Sequence, residues 1–433
     1  MMKKNILRSE LNHVSLPLLL NSLLGTAMSV IFTAMIGRIS SDAIAATEVV
    51  DGLVYSLVGI LGAGSLSFNI YASRIQESNP RLFQNYFKSI LFLNLLLGGI
   101  GTLLVMMLLP ELLAHLYHFK GETLVLGISY GRISAFKLVI YVTIFSFSNQ
   151  LKVKKKPVMI VTAGVISSLA HLLMALAAFA YLPKSKQLLG LGVASMFSLL
   201  MECGLYCVVL RKGLRMLKGI KSSQKWFLLK KSGPLFGQEC LEGTLFSVIV
   251  TALVSRLPFT IFTGYSLCLV IVKLAQSAMF PYANSQLILI GEAFGKGQSN
   301  KLRQLPKLTA KVTLASYLGV SLIVVCFSSS LLPLLSNQSE LIHQAMEILP
   351  VVLLFFTSQL FFEINKYSLQ AIGKERQTLI LTGMVNGLVV CVLLVLQLVG
   401  LNSLMTILWG LAINYLWLSF LFSRFYRKTI QNH

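Results

Sequence analysis

Thr26–Ser40 reads TAMSVIFTAMIGRIS and Thr244–Pro258 reads TLFSVIVTALVSRLP, and at an offset of 218 seven of the fifteen positions are identical. The identities are Thr26/Thr244, Ser29/Ser247, Val30/Val248, Ile31/Ile249, Thr33/Thr251, Ala34/Ala252 and Arg38/Arg256. Pro17 and Pro234 open the two segments at an offset of 217, and Gln150 and Lys154 pair with Gln370 and Lys374 at 220. Similar offsets in one order along both halves mark an internal repeat. Both segments are continuous apolar runs without strict alternation, which points to helices rather than to the strands of a closed barrel.

The composition around these segments says where the helices live. Of 433 residues, 55% are apolar and 12% charged, with a mean hydropathy of +0.77. A soluble domain carries about 25% charged residues, so a water-soluble globule is excluded, as is a disordered chain. A membrane-spanning helix needs about 20 apolar residues. The apolar runs divide into twelve spans, about 13–37, 48–73, 88–118, 124–150, 157–182, 188–210, 233–257, 262–292, 308–334, 343–372, 377–399 and 403–423. Six spans separate repeat partners, so each pair runs in the same direction. The expected fold is an all-α polytopic membrane protein with twelve transmembrane helices. They form two six-helix repeated halves around a central cavity that opens to either side by rocking. Residues 1–210 form the N-terminal six-helix bundle, 211–232 a basic cytoplasmic linker and 233–433 the C-terminal bundle.

The net charge of +22 comes from 37 Lys and Arg against 15 Asp and Glu. Placing the N-terminus inside puts 28 of those cations on the inner side and 6 on the outer, with Lys137, Lys273 and Lys366 within spans. That bias places both termini in the cytoplasm of a cell-membrane protein. The charge is a topology signal and implies no nucleic-acid partner. The first apolar run continues from Val14 to Ile36 without an early small-residue cleavage site, so no cleaved leader is expected. The six cysteines, Cys203, Cys207, Cys240, Cys268, Cys326 and Cys391, lie in apolar runs without CxxC or Cys/His metal spacing, and read as packing residues. There is no GK[ST] phosphate loop and no nucleophile elbow. An enzyme is therefore not expected, nor a cofactor.

Several local patterns resemble the multidrug and toxic compound extrusion (MATE) family. Leu16-Pro17-Leu18, then Ile36-Gly37-Arg38 and Ala43, Ala45 and Ala46, is similar to that family's first helix and loop. Gly291–Gln298, GEAFGKGQ, and Leu369–Arg376, LQAIGKER, resemble its loops after the eighth and tenth helices. Leu241–Leu257, LEGTLFSVIVTALVSRL, resembles the seventh helix of the sodium-coupled bacterial branch, and the functional glutamate of that helix falls on Glu242. Where many members carry an acid on the first helix this chain has Phe32. The acid expected on the tenth aligns with Phe361, and Glu363 follows two residues on. The resemblance implies a membrane transporter; related superfamily members flip polysaccharide and lipid intermediates.

Charges within spans carry the functional reading, because a charge at mid-bilayer costs at least about 2.5–3.5 kcal/mol and usually faces a cavity or a partner. Glu239 and Glu242 lie three apart on the seventh span, Glu363 and Lys366 three apart on the tenth, and Lys273 is in the middle of the eighth. Glu242, Glu363 and Glu239 are candidates for a cation-coupling site holding H⁺ or Na⁺, with Lys273 as a partner that exchanges with the cation. The competing reading is structural: Glu363 paired with Lys366 within one helix, and Glu239 or Glu242 paired with Lys273 between helices. Gln276, and Asn284 just after Pro281, are candidate cavity residues or simple interhelical hydrogen bonders. No metal is expected beyond Na⁺ at Glu242. Glu202, Lys137 and His171 read as packing residues, and Glu48 and Asp51, near the outer end of the second span, as weaker candidates.

Together these features fit a monomeric secondary antiporter that exports a small organic, cationic and amphipathic compound from within membrane lipid in exchange for H⁺ or Na⁺. A flippase for a lipid-linked saccharide or a peptide would favour a basic cavity, which Lys137, Lys273 and Lys366 supply. A third class, a membrane partner that transports nothing, leaves the buried charges without a role. The orientation is directly testable. A single cysteine replacing Ser222 in a cysteine-free background is expected to react with an impermeant thiol reagent only after the cells are permeabilised. Efficient labelling of intact cells would reverse the topology.

Overall fold

The computed structural model describes residues 2–117, 119–254, 256–334 and 339–431, and every regular element among them is helical. The first six long helices are α1 (Met2–Gly37), α2 (Ser41–Ile75), α3 (Pro80–Glu111), α4 (Gly121–Val153), α5 (Val158–Tyr181) and α6 (Lys184–Val209). A short helix, Arg211–Met216, follows within the basic segment. The seventh long element, α7, is in three parts: an α-helix Lys225–Glu239, a π-helical stretch Cys240–Phe246 and an α-helix Ser247–Val254. α8 comprises Phe259–Ala275, a 3-10 turn Gln276–Ala278 and Met279–Gly295. The last four are α9 (Ser299–Cys326), α10 (Ser339–Ala371), α11 (Glu375–Leu398) and α12 (Leu404–Gln431).

Eleven of these helices are long and apolar enough to cross a membrane. The twelfth expected span is α7, which is interrupted by its π stretch. Its helix starts at Lys225 rather than near 233, and Ser255 lies outside the described residues. Local chemistry sets several boundaries. Ser40 caps α2 by accepting from the Ala43 amide at 3.0 Å, and Asn79 caps α3 from Leu82 at 3.0 Å, with Pro80 in the first turn. Gly373, at φ +83°, ends α10 in a conformation that suits glycine.

The chain divides into two compact units, residues 16–236 and residues 1–15 with 237–433. Two helices therefore change unit along their length, α1 next to Pro17 and α7 next to Pro234. Within the second unit, Glu10 pairs with Lys301 at 2.7 Å and Asn12 accepts from the Tyr282 hydroxyl at 3.0 Å. Within the first, the Ser232 hydroxyl lies 3.0 Å from both the Gly64 carbonyl and Ser67 Oγ.

In each unit the fourth helix of the repeat is the packed centre, with its C-terminal turns fully enclosed. For α4 the enclosed residues run from Ser146 to Leu151, and for α10 from Tyr367 to Ala371. Helices of this kind associate through close packing and polar contacts, because lipid gives apolar side chains no reason to leave it. Gly98 shows the close approach: a Cβ there would meet the Val139 backbone at 2.9 Å and Val142 at 2.6 Å. Asn94 on α3 supplies the polar contact, with Nδ2 at 2.7 Å from Ser65 Oγ on α2, 2.8 Å from Ser146 Oγ and 2.9 Å from the Val142 carbonyl on α4. In the second unit Gln286 Nε2 on α8 donates to Ser368 Oγ at 2.6 Å and to the Ile364 carbonyl at 2.9 Å, both on α10. Val50, Leu109, Leu113 and Tyr130 form an apolar core within the first unit.

Replacing Asn94 with Ala removes the contacts that join three helices at a site 3% exposed. The expected loss is about 1–3 kcal/mol, read as a lower thermal unfolding midpoint in detergent. A midpoint equal to wild type would show that shape alone joins α2, α3 and α4.

Candidate functional site

The π stretch of α7 holds Glu242 one turn after Gln238. A π-helical turn is wider than an α-helical one, and such interruptions concentrate at functional sites. The wider turn also spreads residues three apart, so Glu239 and Glu242 do not act as one face. The Glu239 carboxylate folds over Gly243, where an added Cβ would lie 2.8 Å from its Oε1. Glu242 instead turns towards α10.

There it meets Lys366. The ammonium donates to Glu242 Oε2 at 2.7 Å and lies 2.8 Å from Glu363 Oε2, one turn back along α10. The side chains of Glu242, Glu363 and Lys366 are only 16%, 5% and 8% exposed. The other Glu242 oxygen accepts from Gln238 Nε2, which also lies 2.8 Å from Thr382 Oγ1 on α11. Phe362 and Tyr367 flank the ammonium, with ring centres 4.9 and 5.5 Å away. Three helices thus build one buried cluster of two carboxylates and a lysine, inside a single unit.

Of the residues expected at a coupling site, Glu242 and Glu363 are brought together and Glu239 stands beside them, half-buried. Lys273 is exposed on α8 and makes no ion pair among the described residues. The counter-charge to Glu242 is Lys366, so one lysine serves both the intrahelical and the interhelical pair. Gln276 is buried and donates to Gln359 Oε1 at 2.9 Å. The Asn284 amide donates to the Phe280 carbonyl of its own helix at 3.1 Å. Gln238 and Thr382 were not singled out from the sequence. The four-residue spacing of Gln238 and Glu242 was the available signal for the first; no sequence pattern marks Thr382.

The first unit holds a second cluster. The Tyr130 hydroxyl donates to Asp51 Oδ2 at 2.9 Å, while Lys137 lies 3.7 Å from Asp51 Oδ1 and donates to Tyr130 at 3.2 Å. Asp51 was read as a minor candidate because of its place near a span end; its side chain is 30% exposed. His171 stacks on Phe32, ring centres 3.6 Å apart, so the Phe32 position is aromatic and uncharged. Glu202 accepts from Tyr206 at 3.0 Å on its own helix.

A family model described as MatE matches residues 17–177 and again 234–396. Both matched segments begin at the repeat-related prolines. No curated protein matches the sequence. Among solved structures, the chain is similar to an outward-facing multidrug resistance MATE family transporter of the MOP superfamily, at 14% identity and TM-score 0.87. That match covers 98% of this chain and 96% of the other. A MOP superfamily transporter from Pyrococcus furiosus, described by the reversed polarity of its binding pocket, gives 14% identity and TM-score 0.85 over 98% and 96%. A variant of the Vibrio cholerae MATE transporter VcmN gives 16% identity and TM-score 0.84 over 100% and 99%. At such identities the structural likeness establishes the fold.

Breaking a buried ion pair from one side costs about 3–5 kcal/mol. Lys366→Met should therefore lower the unfolding midpoint strongly, and adding Glu242→Gln should recover part of the loss. Lys273→Met should change stability by no more than about 0.5 kcal/mol. Equal effects of the two lysine substitutions in thermal unfolding would show that Lys366 is not the counter-charge of the cluster.

Proposed function

The chain belongs to the MatE family, and from that premise we propose that it is a secondary antiporter which exports a small organic, cationic and amphipathic compound in exchange for H⁺ or Na⁺ by alternating access. In this reading it acts as a monomer in the cell membrane with both termini in the cytoplasm. The halves 1–210 and 233–433 carry six spans each, joined by the basic cytoplasmic segment 211–232. The carrying observation is the Glu242–Lys366–Glu363 cluster, buried within one helical unit. A carboxylate in such a place is maintained against a desolvation cost. Its two carboxylates outnumber its one ammonium, which suits a site that gains and releases a single positive charge as it is exposed to one side and then the other. Glu242 is taken as the exchanging group because it stands in the π stretch of α7 and meets Lys366 and Gln238. Its repeat-related position in the first half is Leu24, so the coupling device belongs to one half.

A second reading, a flippase for a lipid-linked saccharide or a peptide, is favoured by one observation. Lys137 is buried in the first unit, with Asp51 as its only acidic partner within 4 Å among the described residues. A cationic wall there would receive an anionic group better than a cationic drug.

Purified protein in liposomes separates the two. Cationic dyes are expected to move under an imposed H⁺ or Na⁺ gradient, and no dye movement under either would favour the flippase. Glu242→Gln keeps size and hydrogen bonding but cannot carry the exchanging charge. It is expected to fold, and to lower gradient-driven export at least about 100-fold, the scale set by losing one essential proton-transfer group. Full transport by a well-folded Glu242→Gln protein would make the carboxylate structural.

A further inference from the structure

We propose that the ammonium of Lys366 occupies the place in which the Glu242 and Glu363 carboxylates would otherwise hold a metal cation, so that the site of this chain takes a proton and excludes Na⁺. The inference rests on the reading of the cluster as the coupling site, and it selects between the two ions.

The argument begins with position. The two carboxylate oxygens that face each other are both directed at one nitrogen, at 2.7 and 2.8 Å. A sodium ion bridging the same oxygens would have to stand where that nitrogen stands. Lys366 cannot diffuse away, because it is three residues from Glu363 on one helix. A tethered cation competes at an effective concentration in the millimolar range or above, whatever the solution contains. The Phe362 and Tyr367 rings, at 4.9 and 5.5 Å, hold the ammonium by their electron-rich faces.

Charge and donor chemistry point the same way. Two carboxylates and one ammonium leave room for one further positive charge. A proton needs a single oxygen lone pair. Hard metal cations need several oxygens at once, and here both Glu242 oxygens are engaged by donors. Glu242 Oε2 takes Lys366, Glu242 Oε1 takes the amide nitrogen of Gln238, and Thr382 Oγ1 faces that same nitrogen. Gln238 Oε1 and Glu363 Oε2 are buried without a hydrogen-bond partner, the latter 2.8 Å from the Lys366 nitrogen as an ion pair. Around the cluster, Glu239, Tyr265, Tyr367 and Tyr415 stand within electrostatic reach of the two carboxylates or of one another. Among these, Glu239 is the one further carboxylate, and Lys366 the sole cation. With the ammonium removed, Glu242 Oε2 and Glu363 Oε2 are left as the anionic oxygens of a sodium site.

The test is Na⁺ binding to the purified full-length protein, measured with radioactive sodium and as the unfolding midpoint in NaCl against choline chloride. Wild type and Lys366→Arg are expected to bind no Na⁺ at the cluster and to show the same midpoint in both salts. Lys366→Gln is expected to bind one Na⁺ per chain and to unfold at least about 3 °C higher in NaCl. Adding Glu242→Gln should abolish that binding. Saturable Na⁺ binding by wild type that is lost in Glu242→Gln overturns the proposal, and so does a folded Lys366→Gln that binds none. Should Lys366→Gln fold in neither salt, the wild-type titration alone decides. Binding does not depend on transport, so a wild type that exports nothing under either gradient defeats the antiporter reading and leaves this result standing. Saturable Na⁺ binding at Glu242 in an exporting protein defeats only the exclusion of sodium.

Discussion

One ammonium between two carboxylates governs the second unit. In lipid no solvent relieves an unpaired charge, so each of Glu242, Glu363 and Lys366 fixes the others. The pairing also ties α7 to α10 at the point where the helical repeat of α7 widens. Gln238 and Thr382 extend the constraint to α11. Removing one member therefore acts on helix packing and on ion chemistry together, which is why the experiments on this cluster read stability and binding separately.

The polar hubs obey the same constraint without charge. Asn94 and Gln286 each reach the fourth helix of their own repeat, one at Ser146 and one at Ser368. Apolar packing between helices earns little in a solvent as apolar as the side chains, so these few buried amides set which helices touch. The two amides stand on non-equivalent helices of the repeat, α3 and α8, and the charged clusters differ between the halves as well. The first unit has Asp51, Tyr130 and Lys137; the second has Glu242, Glu363 and Lys366.

Much of this was legible in the sequence. The matching segments at 26–40 and 244–258 gave the two-repeat plan, since seven identities in a fixed register survive where only general hydrophobicity is required. Glu242 and Glu363 could be paired as candidates because charges within spans are few. The interruption of α7 could not be read, because a π turn leaves the apolar run unbroken. Nor could the choice between Lys273 and Lys366 as counter-charge. Both lie within spans, and position along a helix does not say which way a side chain faces. Lys273 is exposed; Lys366 shares the buried face of Glu363. Asp51 was discounted for its nearness to a span end, but a tyrosine and a lysine one helix away enclose it.

The division of α1 and α7 between units bears on how the chain is made. Residues 1–15 leave the ribosome before the unit 16–236, yet belong to the compact unit whose other members, 237–433, follow that unit. The unit 16–236 can close as soon as its own residues are inserted, while the leading helical turns wait for partners such as Tyr282 and Lys301. Assembly of the second unit is thus held open until the residues after Phe236 have been made. A gene split within the basic segment would also yield two fragments that each lack part of a unit: one would carry the leading turns of the other's bundle, the other the Lys225–Phe236 turns of its neighbour's.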